Sequence, residues 1–349
     1  MDKKWIKIIV CCIACVQIIS CQMTNNNIPE WTAEMCHPAN KYRIELVKDE
    51  IFTLEGIHAG MPYGGSSGTW GDSGKMWTEQ HGTPIGADIT YYAGYDNAFY
   101  RLKIDFPVEK MKDLIKRYYP TKEIVGKTIA EYKHEGDLGI DERSYNNFSS
   151  LVFGFAPKGM VVVWANYGMT VIEIGRYQAE VIKNDIDLEK KLFANWSVNR
   201  EKAKEISFIP NTNCALWDMY RLRYKWKPVF TSENPNFRLF KINTEYYNGE
   251  RDQLMHPWLL ENKIRDRALP SVFQFFWETS KDERFEGRIF FNQDQLFDRF
   301  KGLSGENEIQ VKIANDNQSL KVLVNNETLV VDSIRIYPNS DWRFNDSYK

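Results

Sequence analysis

Alternation of apolar and polar residues at every second position dominates this chain and predicts half-buried strands. Tyr42 to Val47 (Tyr-Arg-Ile-Glu-Leu-Val) alternates in this way. Trp31 to Cys36, Ile51 to Ile57, Ala87 to Ala93 and Phe99 to Phe106 read alike. The middle carries the clearest hairpin: Leu151 to Ala156, the turn Pro157-Lys158-Gly159, then Met160 to Ala165, with Asn166-Tyr167-Gly168 leading into Val171 to Tyr177. Phe237 to Tyr247 runs into the turn Asn248-Gly249-Glu250. Ser271 to Glu278 and Phe285 to Phe291 flank a charged turn, and the end reads as a meander through Ile309–Ile313, Leu320–Val324, Asn325-Asn326 and Leu329–Ile336.

Helical spacing is rarer. Pro107 is placed as a first helical residue, with Val108, Met111, Leu114 and Ile115 on one face. One charged amphipathic helix is expected from Asp187, its cap, to about Lys204, and another over Asn211 to Arg221. Asn292 is expected to cap a helix carrying Leu296, Phe297 and Phe300. Strand, turn, strand and helix occur at Ile89–Arg117 and again at Val272–Lys301, with Met111 and Ile115 spaced after Phe106 as Leu296 and Phe300 are after Phe291. The fold class is α+β: mainly antiparallel sheet with hairpins, a C-terminal meander and a few amphipathic helices. The body, 31–349, reads as one unit or as two related halves dividing near 134–142.

The first 21 residues change the picture. Lys3, Lys4 and Lys7 precede an apolar stretch, Ile8 to Ile19, which is too short for the ~20 residues that span a bilayer. Ile18-Ile19-Ser20-Cys21 has the order of a bacterial lipoprotein processing site. Residues 1–20 are therefore expected to be a signal peptide, Cys21 the lipid attachment, and 21–30 a polar tether; ordinary secretion without lipid is the alternative. Several acyl chains on one sulfur anchor almost irreversibly at ~0.8 kcal/mol per methylene. Gln22 follows Cys21 and the tether is free of acidic residues before Glu30, which in enteric-type sorting directs the protein to the outer membrane, facing the periplasm. Cys11, Cys12 and Cys15 would be removed. Cys36 and Cys214 then form the candidate disulfide that this compartment permits, with two free buried thiols as the alternative.

Composition narrows the function. The formal charge is −2 without a basic run, which argues against nucleic acid. Apolar residues make up 43%, as in folded chains, and aromatics 14%, enough for both a core and exposed sugar-stacking rings. Gly60 to Gly74 is a Gly/Ser loop in which Trp70, and Trp77 just beyond it, are candidate ligand contacts.

Short motifs in this loop fail on context. Gly64-Gly65-Ser66-Ser67-Gly68 fits Gly-x-Ser-x-Gly but has more glycine where a nucleophile elbow needs a helix. Gly71-Asp72-Ser73-Gly74 copies a serine-protease signature, with Lys75 where that signature continues with glycine. His58 and His81, with Asp72 between them, lack metal-ligand spacing, and His134 and His256 are isolated. Glu173, Arg176, Glu250 and Arg251 offer paired acids of the kind a glycosidase uses, or plain surface ion pairs. No catalytic residue, metal or cofactor is expected.

Phe153-Gly154-Phe155-Ala156-Pro157-Lys158-Gly159 running into Val161-Val162-Val163-Trp164, followed by Glu173-Ile174-Gly175-Arg176-Tyr177-Gln178, resembles the bacterial lipoproteins grouped as domain of unknown function 2931. Arg223-Tyr224-Lys225-Trp226-Lys227-Pro228, Tyr247-Asn248-Gly249-Glu250-Arg251 and Leu269-Pro270 fit the same resemblance, which extends over most of the chain after Cys21. It implies a lipoprotein and carries no activity with it. The leading expectation is a lipid-anchored, non-catalytic envelope protein that binds a protein or glycan partner, an immunity-type role being its specific form. A carbohydrate-binding module using exposed tryptophan and a hydrolase with a site assembled from distant residues are the alternatives.

Overall fold

The computed structural model describes residues 28–62, 69–72, 79–123, 131–138, 144–194, 196–256, 259 and 262–348. Cys21, Trp77, the 64–68 glycine-serine run and Ser73-Gly74 lie outside the described residues. In chain order the strands of the first half are β1 (Glu30–Cys36), β2 (Ile44–Lys48), β3 (Ile51–Thr53), β4 (Glu79–His81), β5 (Pro84–Ala93), β6 (Ala98–Asp105), β7 (Arg117–Pro120), β8 (Lys133–His134), β9 (Tyr145–Asn146), β10 (Ser150–Phe155), β11 (Met160–Asn166), β12 (Val171–Gln178) and β13 (Glu180–Val181). The second half continues with β14 (Tyr224–Ser232), β15 (Arg238–Tyr246), β16 (Arg251–Met255), β17 (Arg265–Arg267), β18 (Pro270–Ser280), β19 (Glu283–Phe291), β20 (Asn307–Ile313), β21 (Leu320–Val324), β22 (Glu327–Thr328) and β23 (Val331–Pro338). Five short α-helices occur among the described residues: α1 (Val108–Ile115), α2 (Ile186–Phe193), α3 (Arg200–Ser207), α4 (Ala215–Tyr220) and α5 (Gln293–Lys301). The chain is thus mostly β, largely antiparallel, and does not close into a barrel.

Each half is two sheets around its own core. In the first, β4-β1-β10-β11-β12 faces β13-β6-β5-β2, and Phe153, Val161, Val163, Ile89, Tyr91 and Leu102 meet between them with Met111 and Leu114 of α1. In the second, β17-β14-β20-β21-β22 faces β16-β15-β18-β19-β23, and Trp226, Val311, Val322, Phe273, Phe275 and Ile289 meet with Leu296 and Phe300 of α5. Strand β11 is buried on both faces, which is why Met-Val-Val-Val-Trp-Ala reads as a continuous apolar run. Val161 and Val163 point to the core, while Val162 and Trp164 point to a second cluster covered by Trp217 of α4 and by Trp70.

The two halves share one order of elements. Strand β1 pairs in parallel with β10 across the intervening β5-β6-α1, and β14 pairs in parallel with β20 across β18-β19-α5. Short β4 and β17 lie antiparallel to β1 and β14, and β11 and β21 return antiparallel to β10 and β20. The repeated strand–strand–helix spacing is one piece of this. The halves divide in the helical connection between β13 and β14 and not near 134–142: Tyr119 and Phe148, on either side of that polar stretch, belong to the same core. Mixed polarity there marks a connection within one half.

Other expectations are corrected as well. The helix expected from Asp187 to Lys204 is two, α2 and α3, because Asn199 caps a fresh start by accepting from the Lys202 N–H at 3.0 Å. Asp187 lies inside the first turn of α2 and Asp185 occupies the cap position. Helix α4 starts after Cys214, later than Asn211. Pro107 precedes α1 instead of opening it. Strand β23 leaves the C-terminal meander and joins β19 in the large sheet.

Candidate functional site

The halves meet edge to edge where β12 and β16 pair through a single register, Val171 with Arg251. Side chains from both converge there. The Asn248-Gly249-Glu250 turn, which reverses β15 into β16, brings the Glu250 carboxylate to the Glu173 N–H at 3.1 Å. Arg221, just past α4, donates to Glu173 at 2.9 and 2.7 Å, and Arg223 donates to Glu250 at 2.6 Å. Asn248 Nδ2 donates to Glu250 at 3.0 Å. Lys110 of α1 donates to the Ile174 carbonyl at 2.8 Å, and burial lowers its pKa. Glu173 and Glu250 are therefore brought together, but as members of arginine pairs, which is not the arrangement of a free acid and base. Arg176 is elsewhere, paired with Asp218 at 3.1 Å.

The tip of the Gly-rich loop presses on this seam. Gly71 and Gly249 stand at φ +80 and +86, and a Cβ on Gly71 would lie 2.3 Å from the Gly249 carbonyl oxygen, so neither position accepts a side chain. Trp164 Nε1 donates to the Asn248 carbonyl at 3.2 Å, and Arg251 reaches Asp72 at 3.0 Å. Asp72 thus serves as a cross-seam ion-pair partner. The Trp70 ring meets Trp164 edge-on at 88° and 5.0 Å, so it packs as a wedge and presents no flat platform with its neighbour. Exposed tryptophans among the described residues are Trp196 and Trp342.

Beside the seam opens a cleft of about 200 Å³ lined from one half by Arg117, Tyr119, Tyr132 and Thr170–Ile172, and from the other by Arg223, Tyr246, Glu250–Asp252 and Arg265–Arg267. Arg267 is 5% exposed, and its guanidinium lies over the Trp226 ring at 5.4 Å. Burial drives the Tyr246 hydroxyl well up; it donates to Asp252 at 2.7 Å. Sequence reasoning missed Arg267 and Tyr246. The available signal was Arg265-Asp266-Arg267, three successive charges directly before the apolar Ala268-Leu269-Pro270.

The two cysteines are free thiols. Cys36 ends β1 fully buried, and burial pushes its thiol up to about 12; Cys214 is only half-buried, donating to Asp218 at 3.3 Å and accepting from Arg176 at 3.6 Å. Each has its own neighbours, and no bond joins Cys36 to Cys214. His81 groups with Glu30 and Glu79 at the sheet edge instead of with His58 or Asp72; their ligand atoms lie within 4.8 Å of one another. His134 pairs with Asp113 at 3.0 Å and His256 with Asp346 at 3.6 Å.

No curated protein and no solved structure matches the chain. The family model described as protein of unknown function (DUF2931) matches residues 20–212, the whole first half and the start of the helical connection. The motifs at Arg223, Tyr247 and Leu269 lie beyond that match, in the half that repeats its topology. With more than half of its length matched, the chain belongs to the DUF2931 family of proteins of unknown function.

Proposed function

We propose that this chain is a lipid-anchored binding protein of the bacterial cell envelope, held through Cys21 at the periplasmic side of the outer membrane, which recognises a partner and performs no chemistry of its own. The observation that carries this reading is the seam cleft, a concave polar site built jointly by both halves, its walls tied by the Arg223–Glu250 and Arg265–Glu131 ion pairs. A site whose walls are fixed before binding loses little entropy on binding, which suits recognition. Groups suited to catalysis are engaged in other ways: the Cys36 thiol holds its proton, and Glu173 and Glu250 each face an arginine. An immunity-type role against a toxin entering the periplasm is one specific form of this reading.

The test is capture from envelope extracts with the full lipidated chain and with Asp266→Trp, which places a bulky ring at the exposed rim of the cleft. One protein retained by the wild type and lost with the variant is expected. Retention that ignores the variant, or no retained protein, refutes the site or the reading respectively. Cys21→Ser should move the protein from the membrane to the soluble fraction; unchanged fractionation removes the anchor.

A glycan-binding reading draws on a different place. Trp342 is 52% exposed, and the Phe344 ring lies 6.5 Å from it at 20°. Retention on peptidoglycan or lipopolysaccharide that Trp342→Ala abolishes would favour it over the protein partner.

A further inference from the structure

Five arginines line the seam cleft, and four have a carboxylate within 3.0 Å. Arg117 pairs with Asp113, Arg223 with Glu250 at 2.6 Å, Arg251 with Asp72 at 3.0 Å and Arg265 with Glu131 at 2.5 Å. Arg267 is the exception. Among the described residues, none of its three guanidinium nitrogens has a hydrogen-bond partner. Its nearest carboxylate, Asp252, is 3.8 Å away and already accepts from the Tyr246 hydroxyl, while the other Asp252 oxygen is also buried without a partner. A guanidinium is always charged, and its planar fork of donors matches two oxygens of one oxyanion. Burying it 95% without such a partner is strongly unfavourable. Trp226 covers the guanidinium from one side, its ring centroid 5.4 Å away.

Resting on the reading of the cleft as the binding site, we propose that it is a receptor for a carboxylate group, with Arg267 as the bidentate donor. Charge selects the class. Arg117, Arg223, Arg251 and Arg265 are each matched by a close carboxylate, which leaves one guanidinium for a ligand, and a dianionic phosphate would bring a second charge toward the lining acids Glu131, Glu250, Asp252 and Asp266. Size agrees: about 200 Å³ holds roughly the volume of six or seven waters, which is a side chain or a chain terminus and not a folded surface. The carboxylate then belongs to an acidic side chain or a C-terminus of the partner, or to a small free acid.

Calorimetric titration of the full chain in detergent tests this with four probes: N-acetylglycine, its neutral amide, inorganic phosphate, and an end-blocked peptide with one internal glutamate. Binding of a carboxylate probe, with at least tenfold weaker binding of the amide and of phosphate, is expected. The glycine derivative binding better assigns a terminus or free acid, and the blocked peptide binding better assigns a side chain. Arg267→Lys keeps charge and loses the fork, and should weaken the preferred probe at least tenfold. Arg267→Met, checked for folding by circular dichroism, should abolish it. Equal binding of the amide, preference for phosphate, or no binding to the wild type overturns the proposal whatever the variants do. A partner still captured from the envelope in those cases leaves the broader reading standing, so the two failures are distinguishable.

Discussion

Replacing Gly71 by alanine tests whether the halves are pressed together at the tip of the Gly-rich loop. Two costs arise there. An L-residue in the left-handed region at φ +80 loses about 1–2 kcal/mol. The new Cβ would also sit 2.3 to 2.6 Å from three Gly249 backbone atoms, and because backbone cannot swing aside as a side-chain end can, overpacking adds about 1–3 kcal/mol. The sum is about 2–5 kcal/mol. Two other glycines separate these terms. Gly56 stands at φ +74 with nothing within 4 Å, so Gly56→Ala should cost the backbone term alone, about 1–2 kcal/mol. Gly302, closing α5 at φ −97 in open space, should gain about 0.4–1 kcal/mol as alanine by restricting the unfolded chain. Urea denaturation of the full chain, followed by tryptophan fluorescence, reads all three. A Gly71→Ala cost within about 1 kcal/mol of that for Gly56→Ala would mean that the loop tip yields freely and that the seam is not a rigid contact.

Burial raises the Asp96 carboxyl, but hydrogen bonds from Thr212, the Lys158 N–H and Tyr100 outweigh it and leave the pKa lowered. Its stabilisation is thus present above the unfolded value and lost as pH falls through the folded one, so the penalty of Asp96→Asn, about 1.5–3 kcal/mol at neutral pH, should shrink below about pH 4. Glu34 shifts oppositely, raised by burial and further raised by the Asp72 charge, against a Thr32 hydrogen bond, so Glu34→Gln should become relatively more stable as pH rises above about 4.3. Denaturation midpoints from pH 3 to 8 that run parallel for the two variants would contradict both assignments. Alkylation after denaturation without reductant should label Cys36 and Cys214 quantitatively, while the native chain reacts slowly at both, since burial raises each thiol; mass spectrometry finding neither labelled would establish a disulfide. Trp164→Phe should weaken the seam by about 0.5–1.5 kcal/mol through the lost Asn248 hydrogen bond, and the loss should vanish in a Gly71→Ala background if the two contacts act together.

Local signals carried the hairpins into the sequence. Pro157-Lys158-Gly159 is a turn whose last two residues sit at φ +61 and +74, and the runs on either side pair directly, Phe155 with Val161. Asn292 capped α5 as its position indicated, accepting from the Gln295 N–H at 3.0 Å. Long-range pairing left no such trace. Thr32 pairs in parallel with Ser150, and nothing in Trp31 to Cys36 specifies a partner so far along the chain. The same limit hid the site. Arg267 is exceptional only because β17 sets it against Trp226 and Tyr246, which approach from β14 and β15. Trp70 is close to the seam, as a Gly-rich loop suggested, but tertiary packing turned it edge-on to Trp164, which no local pattern encodes.

The shared topology of the halves explains why the site lies where it does. Elements that correspond, such as β10 and β20 or α1 and α5, build cores, and their apolar faces leave them little room for polar work. The seam is made from what does not correspond. Strand β12 is eight residues long where β22 is two, and its first residue, Val171, pairs with Arg251 of β16. Strand β16 pairs with β15, while β3, the short strand between β2 and β5, pairs with β5 instead. Each half thus keeps the common frame for stability and differs at one edge, and the two divergent edges face each other. An edge freed from core packing can hold charges, and this one holds Glu173, Glu250 and Arg251, with Arg267 brought beside it from β17 of the facing sheet. The proposed recognition site therefore belongs to neither half alone: the first half ends its walls at Thr170–Ile172 and the second supplies the Arg267 guanidinium, whose nitrogens have no hydrogen-bond partner among the described residues.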